Sequence, residues 1–590
     1  MAAESDNTVS LGGNLWQISS ADEHLSELLV QKYNLPFLMA KIMVLRGIEF
    51  DETVAFLSPK INALMPDPFV LKDMEKAALR IADAIQNKQH ISIIGDYDVD
   101  GATSTSVMKL FLRSVGMEPD IHIPDRDEGY GPSRQAVNDF KAKGAELLIT
   151  LDCGTTAFDP LEYAVSLGMD VIVLDHHEAE VKLPQIYALV NPKRLDDLND
   201  YPYLKYMAAV GVVFMTVVAV NRALRQRGFY TEKNPEPDLK KWLDLVALGT
   251  VCDVVPLKGL NRAYVAQGLK IMAGRTNIGL TTLIDKANLT EAPTAFHLGY
   301  VLGPRINACG RVGDASMGNQ LLCATSDYQA QLLVDKLNEF NLARKDIENH
   351  VLLSAIEILE GQPQEYPIAF VYGHDWHQGV IGIVAGRLKE RYNVPSFVMS
   401  IEADEVKGSA RSVPQIDLGA LIISAKEKGL ITKGGGHTMA AGFSLEESKL
   451  EDFRKFVGEY VTEHLGQETV TPVLEIDAVL DAGGATVELA DCLERLEPFG
   501  AGNPEPKLML KHIRIIKPSL IGTGHVRCVL TSENGGSIKA IAFRVGDNDI
   551  GNAMLTAKNT FFDVVGVLRH DRWNGRNEAQ FIIEDIRKSR

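Results

Sequence analysis

The sequence lacks any C-x-x-C pair, and its six cysteines are scattered over 590 residues. This pattern is typical of a reducing compartment and excludes a recognisable disulfide framework or structural zinc site. The longest apolar run, residues 207–220, is too short to span a bilayer and predicts a buried helix. The first residues lack the basic and apolar regions of a secretory signal, so we expect a cytoplasmic protein that does not enter a membrane.

Net positive charge is also lacking, since the formal net charge is −18 at pH 7. This value argues against a chain that is coated in nucleic acid along its whole surface. The charge is uneven, because residues 507–590 hold fourteen Lys and Arg against eight Asp and Glu. A basic module on an acidic body can bind nucleic acid through its local field, although a basic tail of no consequence would give the same count.

The length of the chain predicts several domains, and no internal repeat or low-complexity tract is evident. Alternating helix and strand patterns predict a parallel sheet in a first α/β domain, and a smaller α/β domain follows. Short β-like segments near the C-terminus predict an all-β barrel, for which the OB-fold is a good candidate. The expected parts are a helical lead-in packed on the first α/β domain (1–75), the first α/β domain (76–318), long connecting helices (319–362), the second α/β domain (363–466), a polar linker (467–472) and the barrel (472–590).

Three short apolar runs in the first α/β domain each end on an aspartate, and each is expected to be a buried strand. The acidic and imidazole side chains that follow the three runs are Asp96, Asp98 and Asp100; Asp152; and Asp175, His176 and His177. Because the carboxyl ends of neighbouring parallel strands lie side by side, these side chains should converge at one edge of the sheet. Such crowding of like charge is costly unless cations neutralise it, so the pattern predicts bound metal ions and hydrolytic chemistry.

The aspartate spacing in the first run also has the appearance of a calcium loop. Its sixth position is Gly101, but its twelfth is Val107, where such a loop needs glutamate. We therefore expect Gly101 to allow a tight turn before a helix that begins near Ala102, whose N-terminus favours anions.

The His-His pair after the third run is a weak signal alone, because such pairs are often simply packed in the core or on the surface. Its place at a strand end favours ligation, with His176 directed at a metal and His177, on the opposite side, at a phosphate. Asp253, which lies in an apolar run, is a further candidate ligand. Oxygen ligands combined with imidazoles suit manganese or magnesium.

Two later patterns are suited to phosphate binding. Residues 434–437 are three glycines and a histidine, so backbone N–H groups could approach a phosphate closely, although a plain flexible loop fits as well. Ser409 and Arg411 are two residues apart and would share one face of a strand, where a solvated arginine is the alternative.

Four motifs, in this order, resemble those of the DHH phosphoesterase superfamily: Asp98-x-Asp100-Gly101, Asp152, Asp175-His176-His177 and Asp253. Residues 433–442 are similar to the glycine-rich signature of its companion, the DHH-associated domain. Further matches narrow the resemblance to the RecJ family, the single-strand-specific 5′-to-3′ DNA exonucleases of bacteria. These are Ile123-Pro124-Asp125-Arg126 with Glu128-Gly129-Tyr130-Gly131, residues 303–308 with Gly310-Arg311, residues 407–412, and Pro498-Phe499-Gly500 with Asn503-Pro504.

The resemblance implies two-metal phosphodiester hydrolysis, with two divalent cations, Mn²⁺ or Mg²⁺, as cofactors. Its implied catalytic residues are Asp96, Asp98, Asp100, Asp152, Asp175, His176, His177 and Asp253. Asp152 would bridge both ions, Asp96 and Asp98 would complete one site, and Asp100, His176 and Asp253 would complete the other. Asp175 would orient a ligand, and His177 would contact the scissile phosphate. The implied DNA- or phosphate-binding residues are Arg126, His177, Arg305, Asn307, Arg311, Ser409, Arg411, Gly435, Gly436 and His437.

The partner that follows from the resemblance is single-stranded DNA, and a single-strand-binding protein and a RecQ-type helicase are further candidates for a monomeric enzyme. Trp573 is a candidate stacking platform, although a core or turn position is the commoner one for tryptophan. An oligonucleotide or small-molecule phosphoesterase of the same superfamily would use the same metals but would normally lack the barrel. A non-catalytic RecJ-like scaffold would have eroded ligands, whereas all the expected acids and both histidines are present.

Overall fold

The computed structural model describes residues 8–126, 128–361, 363, 365–403, 405–465, 471–572 and 575–589. The chain divides into two compact units. The first contains Met1–Pro304, Gly318–Val334 and Val473–Arg590, and the second contains Arg305–Met317 and Asp335–Pro472. The linker predicted at 467–472 falls mostly outside the described residues.

The lead-in of the first unit consists of a short strand and four short helices. Their bounds are β1 (Leu15–Ile18), α1 (Glu23–Tyr33), α2 (Phe37–Leu45), α3 (Thr53–Leu57) and α4 (Ile61–Leu64). The sequence of α2 is apolar on most of its faces, and four of its nine residues are buried. A helix of this kind needs neighbours on more than one side.

A parallel five-stranded sheet follows, as the alternating pattern predicts. Its strands are β2 (Ile91–Gly95), β3 (Asp120–His122), β4 (Leu147–Leu151), β5 (Asp170–Leu174) and β6 (Ala188–Val190), and their spatial order is β3-β2-β4-β5-β6. Every residue of β2 and β4 is buried, which explains their unbroken apolar runs. The carboxyl ends of β2, β4 and β5 are therefore adjacent, and the residues that follow them share one edge.

Helices lie before, between and after these strands along the chain. Their bounds are α5 (Met74–Gln86), α6 (Val99–Ser114), α7 (Arg134–Ala142), α8 (Phe158–Ser166), α9 (Ala209–Gln226), α10 (Leu243–Cys252), α11 (Gly259–Ala273), α12 (Ile278–Lys286), α13 (Ala295–His297), α14 (Gly303–Val312), α15 (Ser316–Leu322) and α16 (Asp327–Glu360). A π-helical turn, Leu298–Leu302, separates α13 from α14. The long helix α16 agrees with the predicted helical stretch at 319–362.

Helix α9 contains most of the longest apolar run. It is the one described helix whose length and composition would suffice to cross a membrane, and 78% of that window is buried inside the protein. Its buried residues include Val213 and Met215, so the apolar run is explained by the core. The prediction of a buried helix is confirmed.

The second unit contains most of α14 and α16, together with a mixed five-stranded sheet and three further helices. Their bounds are β7 (Ala369–His374), α17 (Gln378–Tyr392), β8 (Ser396–Glu402), β9 (Glu405–Arg411), α18 (Leu418–Glu427), β10 (Lys433–His437), β11 (Ala440–Glu446) and α19 (Leu450–Leu465). The spatial order of the strands is β10-β11-β9-β8-β7, and only β7 and β8 are parallel. The glycine-rich residues 434–437 thus form an edge strand rather than the loop expected from their composition.

The C-terminal part of the first unit is a closed barrel. Two short strands and a helix come first: β12 (Val473–Ile476), β13 (Ala478–Leu480) and α20 (Val487–Glu494). The barrel strands and a second helix follow: β14 (Leu508–Ile521), β15 (His525–Ser532), β16 (Ser537–Ala542), α21 (Asp549–Thr556), β17 (Phe561–Asp571) and β18 (Glu578–Lys588). The order β14-β15-β16-β18-β17 closes through the pairing of β17 with β14. The prediction of an OB-fold barrel is confirmed.

The lead-in packs differently from the expectation. Helices α3 and α4 do contact α11 of the first α/β domain. Leu29 of α1 and Met39, Ile42 and Met43 of α2, however, belong to the hydrophobic core of the barrel, and β1 pairs with β12. The lead-in is therefore shared between the two, because the apolar faces of α2 are buried mainly by the barrel.

A carboxyl group is buried in α10, well away from the strand ends. Asp244 is 1% exposed and accepts a hydrogen bond of 2.8 Å from the Leu245 N–H. Burial raises the pKa of Asp244 to about 7. Because this value lies above that of an exposed aspartate, the protonated form favours the folded state; the contribution is complete in acid and is lost as the pH rises through 7.

Replacing Asp244 with asparagine should therefore make the protein more stable than the parent at pH 8. The expected gain in the free energy of unfolding is about 2–4 kcal/mol, given about 1.4 kcal/mol for each unit of pKa difference. The difference between the two proteins should shrink as the pH is lowered below 6. Denaturant unfolding at several pH values measures it, and a gain that does not depend on pH would contradict the explanation.

Candidate metal centre and phosphate-binding site

The first aspartate cluster lies in the turn from β2 into α6. Asp98 is the N-cap of α6 and accepts from the Gly101 N–H at 3.0 Å, so the helix begins at Val99 and not near Ala102 as predicted. Gly101 lies in the first helical turn, where a Cβ atom would sit 2.3 Å from the backbone oxygen of Asp96. Glycine is needed here for close approach to the strand end rather than for a turn.

Asp100 connects this turn to the helices behind it. Its two carboxylate oxygens accept from the backbone N–H groups of Ala209 and Val210, at 2.6 and 2.9 Å, at the start of α9. Burial, followed by the charge of Asp98, raises the pKa of Asp100 to about 7. The helix N-terminus partly offsets this effect because its N–H groups favour the charged carboxylate.

The ends of β4 and β5 bring the remaining groups to the same edge. Asp152 has a left-handed backbone with φ 62°, and its Oδ1 lies 3.3 Å from Nε2 of His176. Asp253, at the C-cap of α10, lies 3.5 Å from Nδ1 of the same ring. Convergence at one edge, as predicted from the strand ends, is thus observed for residues from three strands and one helix.

The cluster is buried and holds several carboxyl groups close together, which determines its electrostatics. Burial raises the pKa of Asp96, Asp152 and Asp253 well above the usual range, and neighbouring carboxylates raise it further. Burial, followed by the nearby His177, lowers the pKa of His176 to about 3. The imidazole of His176 is therefore neutral at pH 7, which is the form that binds a metal.

His177 is held by Asp175. Its Nδ1 lies 2.7 Å from Oδ1 of Asp175, which also accepts from the backbone N–H groups of both histidines. Burial works against charge on both partners, but their hydrogen bond outweighs it, so that the pKa of Asp175 is far below and that of His177 above its usual range. Asp175 is saturated by donors, while His177 favours its cationic form.

The two histidine rings do not point to opposite sides. Their centroids are 4.7 Å apart in an edge-to-face contact, and both rings lie near Oδ1 of Asp152. The alternation of side chains applies only within a strand, and β5 ends at Leu174, before the pair. The hydrogen bond to Asp175 then determines where His177 lies.

Ligand atoms of the cluster form three overlapping groups, in each of which the atoms lie within 4.8 Å of one another. These are Asp96, Asp98 and Asp152; Asp152, His176 and His177; and Asp100, His176 and Asp253. Within the described residues, buried atoms of Asp96, Asp152, His176 and Asp253 find no hydrogen-bond partner. Orphaned oxygens and a nitrogen that converge in this way fit divalent cations such as Mn²⁺ or Mg²⁺.

Three neighbours of the cluster were not singled out by the sequence as site residues. The Tyr130 hydroxyl donates to the backbone oxygen of Asp152 at 2.9 Å and lies 3.2 Å from Nδ1 of His177. The Asn191 amide donates to the backbone oxygen of His177 and to the hydroxyl of Thr155. Asn191 directly follows β6, so the strand-end rule, applied to this fourth strand, would have found it.

Arg126 is, with His177, a predicted phosphate-binding residue of the first unit. Its guanidinium lies 4.3 Å from the centroid of the Tyr97 ring, and Tyr97 is in turn edge-on to Tyr130. Tyr97 lies between two of the clustered aspartates. The arginine therefore lies beside the acidic cluster, where its charge lowers the pKa of Asp96.

In the second unit, Ser409 and Arg411 share one face of β9, as predicted. Arg411 lies opposite Ala440 and Ser409 opposite Gly442 in β11. A Cβ atom at Gly382 of α17 would lie 3.4 Å from both the Ser409 hydroxyl and Nη2 of Arg411. The helix thus faces this pair closely, and burial lowers the pKa of Arg411.

The glycine-rich strand β10 extends the same face. Gly435 lies opposite Gly442, and His437 opposite Ala440, so these residues continue the two rows that begin at Ser409 and Arg411. Cβ positions at Gly435 and Gly442 would meet no atom within 4 Å, so this part of the face is open. An open backbone beside a hydroxyl and a guanidinium is suited to an anion.

The remaining predicted residues of the second unit lie on α14. Arg311 donates to the backbone oxygen of Gly379, at the start of α17, at 2.8 Å. Arg305 donates to the Asn338 side chain at 3.0 Å, and burial lowers its pKa. The side-chain oxygen of Asn307 is buried without a hydrogen-bond partner among the described residues.

Several basic residues of the barrel form ion pairs, so the barrel's effective positive charge is smaller than the residue count indicates. Arg569 and Arg572 pair with Glu505 and Glu494, which precede the counted segment, and Arg587 pairs with Asp563. Arg514 instead lies 4.6 Å from the Phe561 centroid, and His512 stacks on the same ring at 4.0 Å. Trp573, the predicted stacking residue, lies outside the described residues.

The sheet and its acidic edge define the class of protein. Residues 90–250 match the model of the DHH family N-terminal domain, and residues 365–463 match the DHHA1 domain. Residues 476–585 match the RecJ OB domain.

Relatives narrow this class further. The chain is 36% identical over 570 residues to the single-stranded-DNA-specific exonuclease RecJ of Escherichia coli, covering 94% of this chain and 96% of that protein. It is 33% identical to the Bacillus subtilis protein of the same name, covering 97% and 70%. The crystal structure of Thermus thermophilus RecJ in complex with Mn²⁺ matches with a TM-score of 0.81 at 27% identity, covering 98% of this chain and 80% of that one. The Mg²⁺ complex matches with a TM-score of 0.75 at 25% identity, covering 98% and 78%. The chain belongs to the RecJ family, and the resemblance drawn from its motifs is confirmed.

Proposed function

We propose that this protein hydrolyses phosphodiester bonds of single-stranded DNA from the 5′ end, with two divalent cations, and acts in DNA repair and recombination. The observation that carries the proposal is the set of three overlapping ligand groups at the strand ends. Their buried, unpaired atoms supply the donors that a pair of oxygen-preferring cations needs.

We assign one ion to Asp96, Asp98 and Asp152, and the other to Asp100, His176 and Asp253, with Asp152 between them. Each of these two sets of residues coincides with one group of converging ligand atoms. Asp152 also belongs to the third group, together with both histidines. When bound, the cations supply activation of a water molecule and stabilisation of the charge that develops on the phosphate. Asp175 orients the histidine pair, since its Oδ1 accepts from both backbone N–H groups and from Nδ1 of His177.

His177 and Arg126 contribute the positive charge that the chain itself places beside the acids. His177 contacts the scissile phosphate in its cationic form, which Asp175 favours. Tyr130 limits the movement of that ring through its hydroxyl. Arg126 binds a neighbouring phosphate from its position on Tyr97.

In the second unit, the open face of β9, β10 and β11 binds a phosphate at one end of the DNA strand. Arg411, Ser409 and His437 supply side-chain donors, and Gly435 and Gly436 supply backbone ones. Arg305, Asn307 and Arg311 bind further phosphates from α14. Fixing one strand end in this way accounts for a 5′-to-3′ direction of degradation, and the metal-binding aspartates do not themselves provide such a direction.

Beyond these sites, single-stranded DNA needs surfaces on which its bases can stack. Phe296 and Tyr300 are 56% and 74% exposed, and their rings stack at 5.0 Å and 29°. Phe296 precedes the π-helical turn and Tyr300 lies within it. The Leu298 oxygen of this turn accepts from the thiol of Cys252, next to Asp253. We assign base stacking to this pair and to the Arg514–Phe561–His512 group of the barrel.

Replacing Phe296 and Tyr300 with alanine together should weaken binding of single-stranded DNA about tenfold, the loss expected for one stacked base. Fluorescence anisotropy with a labelled oligonucleotide measures the affinity. Tyr328→Ala is the matched control, because Tyr328 is 76% exposed and is not paired with another ring in the described structure. An equal loss in the control, or none in the double variant, would contradict stacking at this pair.

The proposed activity is tested with the purified protein, Mn²⁺ and end-labelled DNA. Stepwise release of nucleotides from single strands, with duplexes resistant, is the expected result. Cleavage of only short oligonucleotides or small phosphodiesters would instead indicate the activity of the related phosphoesterases. The presence of the barrel favours a longer substrate. A protein that bound DNA without cleaving it would be a scaffold, against which the complete ligand set argues. A cytoplasmic location, a monomeric state, and cooperation with a single-strand-binding protein and a RecQ-type helicase are part of the proposal.

A further inference from the structure

One motif found in the sequence has no place in the sites above. It is the segment 496–504, which includes Pro498-Phe499-Gly500 and Asn503-Pro504 and precedes the first long barrel strand. The segment lies against the turn that follows Asp253. The Leu257 N–H donates to the backbone oxygen of Ala501 at 2.7 Å, and a Cβ atom at Gly500 would lie 2.8 Å from Cδ1 of Leu257.

Arg262 fixes this segment to the first α/β domain. The side chain, on α11, is 2% exposed, and its guanidinium lies 3.8 Å from the centroid of the Phe56 ring. It donates to the backbone oxygens of Leu496, Glu497 and Pro498 at 2.9, 2.6 and 3.3 Å. The buried amide of Asn503 donates to two of the same oxygens, so the segment has a fixed internal shape.

The turn that the segment contacts is strained. Val254, the residue after Asp253, has a left-handed backbone with φ 59°. A β-branched residue rarely adopts this conformation, and the surrounding structure must impose it. The Val254 side chain is 71% exposed, so its own packing does little to hold it there. Two contacts hold the turn instead. The segment 496–504 binds the turn at Leu257, and the Asn261 amide donates to the backbone oxygen of Pro256 at 3.0 Å.

We propose that the segment 496–504, fixed by Arg262, positions Asp253 for metal binding. Asp253 lies at the end of α10, four residues before Leu257. The strained turn between these two residues therefore links the position of the segment to the position of the Asp253 carboxylate. Arg262 is thus a positioning residue, which acts on the metal group of Asp100, His176 and Asp253 through backbone contacts. The inference rests on the proposed function only in taking this group as a metal site.

The test is Mn²⁺ binding by the full-length protein, measured by calorimetry and by the shift in melting temperature on titration with Mn²⁺. Arg262→Lys should weaken Mn²⁺ binding about tenfold, since relaxation of the strained turn competes with it. Adding Val254→Gly should restore most of the affinity, because glycine adopts the left-handed conformation without strain. Asp585→Asn is the control: Asp585 is equally buried and ties the N-terminal residues to the barrel, away from the turn.

If Arg262→Lys does not fold, Gly500→Ala replaces it, because the added methyl group presses on Leu257 and leaves the hydrogen bonds of Arg262 in place. Weaker Mn²⁺ binding with rescue by Val254→Gly supports the proposal. Unchanged Mn²⁺ binding in a folded variant, an equal loss in Asp585→Asn, or failure of the rescue would overturn it. A parent that binds Mn²⁺ but degrades no DNA would refute the proposed function alone, since the binding comparison does not use DNA.

Discussion

Replacing Asp152 with asparagine should reduce hydrolysis of single-stranded DNA more than about a hundredfold, the loss that follows removal of one group acting on transition-state charge. Asp152 and His176 each belong to two of the three ligand groups, and the proposed assignment gives Asp152 the place between the two ions. Asparagine is preferred to alanine because the residue has φ 62°, a conformation that asparagine tolerates and alanine does not.

The fold should survive this change. The pKa of Asp152 is raised in the folded state by burial and by neighbouring carboxylates, so its charged form destabilises the metal-free protein at neutral pH. The variant should therefore melt at or above the temperature of the metal-free parent. Mn²⁺ should raise the melting temperature of the parent but not that of the variant. Asp139→Asn, on the exposed side of α7, is the control. Activity within about tenfold of the parent would show that Asp152 does not bridge the ions.

The second large effect is expected at Arg411. Its alanine variant should bind 5′-phosphorylated single strands about ten- to a hundredfold more weakly, as a charge-assisted hydrogen bond is worth roughly 1.5–3 kcal/mol. The guanidinium lies beside the Ser409 hydroxyl and the open glycine face, whereas the proposed metal ligands belong to the other unit. Mn²⁺ affinity should consequently be unchanged. Arg411→Lys should lose less, because it keeps the charge but not the fork of donors.

Substrates that differ only at their ends separate the possibilities. The parent and the variant are compared on 5′-phosphorylated, 5′-hydroxyl and 3′-blocked single strands. The variant's defect should be greatest on the 5′-phosphorylated strand. An equal defect on internal cleavage, or degradation of the parent's substrate from the 3′ end, would refute both the end-binding site and the direction of degradation.

The acidic centre was predictable from the sequence because it follows from topology. Each unbroken run of apolar residues predicted a buried strand, and parallel strands place their carboxyl ends side by side. The convergence of Asp152 and Asp175 could therefore be predicted without knowing where their side chains point. Asn191 follows the same rule at the edge strand β6, but this strand of three residues was not among those predicted. The chemistry of the donor set then indicated the cations.

Features that depend on packing in three dimensions could not be predicted in the same way. Composition made residues 434–437 look like a loop, but pairing with β11 makes them a strand, because backbone hydrogen bonds outweigh the low strand propensity of glycine. The sequence predicted a helical lead-in but could not show that the barrel, far away in sequence, buries α2. The charge count likewise could not show that Glu494 and Glu505 pair with barrel arginines.

The core shared by the lead-in and the barrel has a consequence for how the chain is made. Trp16 donates a hydrogen bond to Asp585, 569 residues later, and β1 pairs with β12 along its whole length. At about 5–20 residues per second, the ribosome exposes the apolar helix α2 for on the order of half a minute to two minutes before the barrel emerges. The first α/β domain can fold during that time, while the N-terminus must wait for the C-terminus. Nascent chains stalled before residue 473 should therefore recruit holding chaperones to their first fifty residues.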